Sequence, residues 1–177
     1  LFAGYLLLTV AGCAAVDDTT ATTQTADRPV IVNPYLHIDR SVDTRSLQSI
    51  AASLTRPGMS DRDKAIAAFN YIRRTMFNYR HLRHQGGSGA LDLINGVGYC
   101  LCTPTAGAQC ALLEAMGLEA RVLSTPGHGS VVVKWGGKWH WMDAFLGLAV
   151  WNHERTDIAT VEEVIADPSL LTRADPS

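Results

Sequence analysis

Three of the chain's four cysteines lie close together in the stretch GYCLCTPTAGAQC, residues 98–110. A thiol can act as a nucleophile, bind a metal or pack as a small apolar group, so its surroundings must distinguish these roles. A nucleophilic thiol reacts as the thiolate, which the partial positive charge at a helix N-terminus favours. Cys102 directly precedes Thr103 and Pro104, which are typical cap and first-position residues of a helix. Cys102 is therefore the candidate nucleophile.

The other two cysteines of this stretch leave structural alternatives open. Cys110 lies two turns into the same predicted helix, among Ala111 and leucines, and is expected to be a small buried apolar residue. A metal site built from Cys100, Cys102, Cys110 and a histidine is an alternative, although the spacing typical of structural zinc is absent. A Cys100–Cys102 disulfide is another, and it would block the nucleophile.

A nucleophilic cysteine needs a base, and the base needs a group that orients it. The segment SVVVKWGGKWHWMD predicts two antiparallel strands joined by the two-residue loop Gly136-Gly137. In this register Ser130 lies opposite Asp143, so His128 and Asp143 share a face as diagonal neighbours, about 7 Å apart at the backbone. The sequence therefore predicts a His128–Asp143 pair on a β-hairpin.

Two amphipathic helices are predicted ahead of the cysteine stretch. The first covers residues 44–55 and ends at Arg56-Pro57-Gly58. The second begins after the cap Ser60. Residues 84–93 are interpreted as a flexible connection. The apolar stripes of the two helices are formed by Leu47, Ile50, Ala51, Leu54, Ala65, Ala68, Phe69, Ile72 and Met76.

The second half of the chain predicts one buried helix followed by strands. The helix PTAGAQCALLEAM carries one charge and ends at Gly117 as its C′ residue. Strands follow at EARVL, SVVVKW and KWHWMDAF, and a Thr160–Glu163 capping box starts a short closing helix that reaches about Ala166. Because helices precede strands, the fold class is α+β with a mainly antiparallel sheet.

The sequence of the N-terminal region indicates a targeting segment. Residues 1–13 are apolar and shorter than the roughly 20 residues that cross a bilayer, which indicates a signal segment. Its end, TVAGC, resembles the bacterial lipobox, so lipidation of Cys13 is expected. Residues 14–29 are polar and rich in threonine, which predicts a flexible tether. The expected location is the cell envelope, outside the cytoplasm, with the membrane reached through the lipid anchor.

The composition fits one domain and gives no sign of a nucleic-acid partner. The 177 residues carry a formal net charge of −2, and no basic face stands out in the sequence. No cofactor and no metal are expected, since a thiol nucleophile requires none, and the sequence offers no acidic cluster that would bind calcium.

Several of these motifs resemble the transglutaminase-like superfamily of papain-related thiol enzymes. They are Gly98-Tyr99 ahead of Cys102, Ala106, MGLEARVL, PGHGSVVV and GGKWHWMD. The resemblance implies a papain-like core in which the nucleophile starts a buried helix packed on an antiparallel sheet. The resemblance covers roughly residues 40–172, and the domain is expected at residues 30–172, followed by a tail at 173–177, with a further domain beyond the tail left open.

By position, the resemblance makes Cys102 the nucleophile, His128 the general base and acid, and Asp143 its orienting carboxylate. Tyr99 is a candidate oxyanion donor beside the Cys102 backbone N–H. The implied reaction is acyl transfer on amide bonds of a protein or peptide, including a cell-wall peptide, with hydrolysis favoured over cross-linking. The alternative is a catalytically inactive envelope module that binds a peptide or glycan.

Overall fold

The computed structural model describes residues 41–78 and 89–173. The predicted signal segment, Cys13 and the tether lie outside these residues and remain predictions. No helix within the described residues is both long enough and apolar enough to cross a bilayer.

Two capped helices open the described part of the chain, as the sequence predicts. Helix α1 spans Leu47–Leu54 and helix α2 spans Asp61–Thr75. The Ser60 hydroxyl accepts a hydrogen bond of 3.1 Å from the backbone N–H of Asp63, which fixes the start of α2. The predicted apolar stripes are buried in the core, at positions that include Ile50, Ala51, Ala65, Ala68, Phe69, Ile72 and Met76.

The segment between α2 and the cysteine stretch is more ordered than the sequence suggests. The prediction of a flexible connection over 84–93 is wrong for its end, because Ala90–Asp92 form helix α3 and Leu93–Val97 continue it as a wider π-helical turn. Strand β1, Phe77–Asn78, then pairs in parallel with strand β2, Tyr99–Cys100. This pairing joins the end of α2 to the residues just ahead of the cysteine helix.

Helix α4 spans Cys102–Ala115 and is the central helix of the fold. It ends as predicted, with Gly117 at φ +82°. The N–H of Gly117 bonds to the carbonyl of Glu114, and that of Leu118 bonds to the carbonyl of Leu113, a Schellman pattern that stops the helix. Helices α1 and α2, strand β3 (Glu119–Thr125) and strand β4 (His128–Trp135) all pack against α4, so most of its surface is buried.

The main sheet is antiparallel and has the strand order β3-β4-β5-β6. Its register across the Gly136-Gly137 loop pairs Trp135 with Lys138 and Val131 with Met142, which confirms the predicted hairpin. The α+β class with a mainly antiparallel sheet is thereby confirmed. The strands are Glu119–Thr125, His128–Trp135, Lys138–Asp143 and Leu148–Ala149.

The two faces of the sheet carry different layers. Val131 and Val133 belong to the core that contains α4. On the opposite face, Trp141 packs with a smaller apolar cluster near helix α5, Val161–Ala166. The predicted capping box of Thr160 and Glu163 is present, and a 3₁₀ helix at Pro168–Arg173 follows. The sheet therefore separates a large core on the α4 side from a thin apolar layer on the α5 side.

Candidate active site

Cys102 occupies the first position of helix α4. The sequence predicts Thr103 as the cap and Pro104 as the first helical residue, and this prediction is wrong by two residues, because Leu101 is the N-cap. Leu101 has no side-chain oxygen, and its extended backbone and carbonyl start the helix by accepting the N–H of Thr105 at 3.1 Å. Pro104 is tolerated because the first-turn N–H groups have no partner within a helix. The thiol thus lies inside the positive end of the helix dipole.

The surroundings of Cys102 favour the thiolate. Partial burial of the thiol raises its pKa, but the interactions of the sulfur with the backbone N–H of Gly129, with the hydroxyl and N–H of Thr103 and with His128 lower it by more. The net result is a pKa below the ordinary value of a cysteine. A nucleophilic thiol requires this direction of shift.

His128 is the first residue of strand β4 and is held by Asp143. A hydrogen bond of 2.5 Å joins Nε2 of His128 to Oδ2 of Asp143. Because a carboxylate only accepts, Nε2 carries the proton and Nδ1 is the nitrogen left for the thiol. The Asp143 side chain is 1% exposed, and its Oδ1 accepts the backbone N–H of Leu146 at 2.9 Å. Both carboxylate oxygens are thus held in place.

The electrostatics of His128 complement those of the thiol. Its hydrogen bond to Asp143 raises the pKa of the imidazole, burial opposes the rise, and the charge of Asp143 and contact with Cys102 add to it. The ring also lies 6.0 Å from that of Phe145, tilted by 53°. A lowered thiol pKa and a raised imidazole pKa both favour a thiolate–imidazolium pair.

A close backbone contact brings the thiol and the imidazole together. At Gly129 a Cβ atom would lie 2.9 Å from Thr103 Oγ1 and 3.0 Å from Thr103 Cα, closer than ordinary packing. Only glycine lets the start of β4 approach the first turn of α4 this tightly. The preceding Pro126-Gly127 turn, with Gly127 at φ +80°, returns the chain from β3 to His128.

The remaining described cysteines are buried and are not part of this contact. The Cys100 sulfur lies 3.1 Å from Thr105 Oγ1, and burial raises the pKa of its thiol. Burial also raises the pKa of Cys110 to about 12. All three described cysteines are free thiols, so the structure does not contain the Cys100–Cys102 disulfide. Within residues 41–78 and 89–173, no group of three or more histidine, cysteine or acidic side chains could hold a metal ion.

The structure places the other candidate residues around this centre. Tyr99 lies in β2, three residues before Cys102, and its role as an oxyanion donor remains a prediction. Ser130 accepts a hydrogen bond of 2.9 Å from the indole N–H of Trp141. His140 lies on the α4 face, stacked on Trp135 at 3.6 Å, as its position in the hairpin predicts.

Sequence reasoning missed the backbone groups that support the three side chains. Gly129 and the N–H of Leu146 act through the fold, and their only signals in the sequence are a glycine after His128 and the loop after Asp143. The sequence indicates only a capping role for Thr103, although its hydroxyl and N–H interact with the Cys102 sulfur.

Comparison with known proteins agrees with this geometry at the level of the family. The model of the transglutaminase-like superfamily core matches residues 48–153, which exceeds half of the chain and contains Cys102, His128 and Asp143. No curated protein and no solved structure gives a significant match. Membership is consistent with cysteine-based acyl transfer or hydrolysis, and some members are inactive. The chain belongs to the transglutaminase-like superfamily.

Proposed function

We propose that the protein is a thiol-dependent enzyme that transfers the acyl group of an amide through Cys102, His128 and Asp143. One arrangement carries the proposal: a thiol begins a helix whose first turn packs against the strand that starts with His128, and a buried carboxylate holds the His128 imidazole at 2.5 Å. This arrangement contains a nucleophile, a base and an orienting group in the order that covalent catalysis requires.

The proposed reaction has two stages. The Cys102 thiolate attacks the amide carbonyl, His128 protonates the leaving amine, and a thioester forms on the sulfur. The backbone N–H of Cys102 at the start of α4 is the proposed oxyanion donor, with Tyr99 as the second. Water or a second amine then attacks the thioester, giving hydrolysis or cross-linking. Hydrolysis is the proposed outcome, because no feature of the sequence excludes water or selects an amine.

The proposed substrate is a protein or a peptide outside the cytoplasm, including a cell-wall peptide. The support comes from the sequence, which suggests a signal segment and lipidation at Cys13. The proposed enzyme then works at the membrane surface of the envelope, held by its lipid anchor and a tether.

Alkylation by iodoacetamide at neutral pH, mapped to individual cysteines by mass spectrometry, tests the activation of the thiol. We expect Cys102 to react about ten times faster or more than a cysteine in an unfolded peptide, because its pKa is lowered. Cys100 and Cys110 are internal controls that should stay unlabelled in the folded protein, since both are buried.

Two variants test whether the fast alkylation of Cys102 depends on His128 in particular or on any histidine that is paired with an aspartate. His128→Ala should abolish the fast phase. His153→Gln is the matched control, because His153 also bonds an aspartate, Asp167 at 3.1 Å, but lies on the surface. If Cys102 reacts no faster than an unfolded cysteine, the alternative of an inactive binding module replaces the enzyme.

Incubation with a protein substrate and a fluorescent primary amine distinguishes the two outcomes of acyl transfer. Hydrolysis of peptide bonds yields new N-termini without incorporation of the amine, whereas transamidation yields a fluorescent protein product. Both signals should disappear in Cys102→Ala. Incorporation without new termini would contradict the proposed preference for hydrolysis.

A further inference from the structure

An apolar groove runs from the catalytic histidine across the α5 side of the sheet. Its volume is about 380 Å³, within the range of small-ligand pockets. Leu123 and Trp141 form its floor on the sheet, and His128 lies at one end. The groove is therefore continuous with the active-site imidazole, on the face of the sheet opposite α4.

The groove offers a partner almost nothing but hydrocarbon. The described residues that line it include no formally charged carboxylate, ammonium or guanidinium group. Its two hydroxyls already have partners: Ser130 accepts the Trp141 indole N–H at 2.9 Å, and Thr125 donates to the His128 carbonyl at 3.2 Å. An apolar occupant would therefore leave neither hydroxyl without a partner. Among the described lining residues, the imidazole of His128 is the one group that could meet a charge, so a charged occupant seated along the rest of the groove would lose its hydration without compensation.

The outer wall of the groove comes from residues beyond the part of the chain that matches the superfamily model. That match ends at residue 153. Val161, Val164 and Ile165 of α5 and Leu171 of the 3₁₀ helix supply the wall. Ile165 is 73% exposed and Leu171 is 41% exposed, so both leave apolar surface open to solvent at the rim. Apolar surface kept exposed beside a reactive centre is typical of a binding site.

We propose that this groove binds an apolar side chain on the amine side of the amide, next to the bond that the enzyme cleaves or forms. The inference rests on the proposed function. His128 is the residue that exchanges a proton with the amine, and the groove begins at His128. The portion of substrate that carries the amine nitrogen is therefore the part that lies over the groove.

The amine side can be tested in the direction of bond formation, because the same subsite serves both directions of the reaction. p-Nitrophenyl acetate transfers its acetyl group to Cys102 Sγ and releases p-nitrophenol. An added amine then attacks the thioester carbonyl, the carbon–sulfur bond breaks, and sulfur leaves as thiolate. His128, which is neutral in the acyl-enzyme, takes the proton from the amine nitrogen.

The measurement is the ratio of N-acetyl amide to acetate formed from the acyl-enzyme with different amino-acid amides. Leucinamide and phenylalaninamide are compared with glycinamide and with asparagine amide, which has nearly the shape of leucinamide but is polar. Each ratio is divided by the rate at which the same amine reacts with a free acetyl thioester in solution, which removes differences in the intrinsic nucleophilicity of the amines. We expect an advantage of about tenfold or more for the apolar amides, the size that one side-chain pocket supplies.

Substitutions at the rim tie the preference to the groove. The double variant Ile165→Gln, Leu171→Gln should reduce the advantage to threefold or less, since it replaces the exposed apolar rim. Val122→Gln is the matched control. Val122 precedes the groove residue Leu123 in strand β3 and is 41% exposed. It pairs with Val131, whose side chain faces α4, so Val122 lies on the face of the sheet away from the groove. The preference for apolar amides should therefore remain in this variant.

The outcomes separate this inference from the proposed function. If no acetyl thioester forms on Cys102, the proposed function fails. If the thioester forms but all four amides give the same normalised ratio with the wild-type protein, that result overturns the groove assignment without any variant. An unchanged preference in the folded double variant overturns it as well.

Discussion

At the scale of single residues, two of the three proposed catalytic side chains, Cys102 and Asp143, have partners outside the proposed triad. Thr103 and the Gly129 N–H face the Cys102 sulfur, and the Leu146 N–H holds the free oxygen of Asp143. Electrostatic interactions also couple the ionisation of Cys102, His128 and Asp143. Because the hydrogen bond to Asp143 is the main cause of the raised pKa of His128, the carboxylate also promotes ionisation of the thiol beside the imidazolium.

Asp143→Asn tests this coupling. The amide keeps an oxygen for the Leu146 N–H but removes the negative charge, so the pKa of His128 should fall and that of Cys102 should rise. The pH midpoint of Cys102 alkylation is expected to move to higher pH. Acyl transfer should fall on the order of 10²- to 10⁴-fold.

The direction in which the pH midpoint of Cys102 alkylation moves decides the outcome for Asp143→Asn. In the unsubstituted protein, the reactive thiolate persists at a pH where an ordinary cysteine is protonated, because its pKa is lowered. Asp167→Asn removes the carboxylate of the surface His153 pair and should leave the alkylation midpoint unchanged. A midpoint that moves to lower pH in Asp143→Asn would contradict the coupling.

At the scale of elements, one contact between helix α4 and strand β4 lies beside both the Cys102 sulfur and the His128 imidazole. The strand approaches the first turn of the helix at Gly129, where Thr103 leaves no room for a Cβ atom. The helix carries the sulfur and the strand carries the imidazole, so their separation depends on this glycine.

Gly129→Ala should therefore impair both reactivity and stability. The added methyl group must push the strand and the helix apart by a fraction of an ångström, at a cost of about 1–3 kcal/mol. Misplacement on this scale slows a positioned reaction by about 10- to 100-fold. The measurements are the Cys102 alkylation rate and the free energy of unfolding.

Gly107→Ala is the matched control within α4. A Cβ atom at Gly107 would meet no atom of the described residues within 4 Å beyond its own helix neighbours. Alanine should stabilise the helix by about 0.5–1 kcal/mol and leave the alkylation rate unchanged. Equal loss of reactivity in both variants would show that the Gly129–Thr103 contact does not control the pair.

At the scale of the whole molecule, the two faces of the sheet have different surroundings. Cys102 belongs to the α4 side, whose core contains Val131, Val133 and Met142. The groove that starts at His128 lies on the α5 side. The proposed site for the amine side of the substrate thus lies on the face of the sheet opposite the helix that carries Cys102.

The proposed lipid anchor is also a property of the whole chain. Expressed with its full reading frame in a bacterium, the protein should enter the detergent-rich phase on detergent phase separation, because lipidation at Cys13 adds acyl chains. Cys13→Ala should shift it to the aqueous phase. A wild-type protein that already stays in the aqueous phase would contradict the anchor.

The sequence by itself determined the parts of the molecule that depend on neighbours in the chain. Apolar spacing located α1 and α2, the Thr160–Glu163 pattern located α5, and the Gly136-Gly137 loop fixed a register that places His128 and Asp143 on one face. These features follow from helix and strand periods and from local turn chemistry.

Only the tertiary structure decided what depends on contacts between distant segments. The helix begins at Cys102 rather than after Thr103, because β2 and the extended Leu101 lead directly into its first turn. The fit of Gly129 against Thr103 and the groove between the sheet and α5 each join elements far apart in sequence. Such contacts leave no periodic signal, since they arise only when packed surfaces meet.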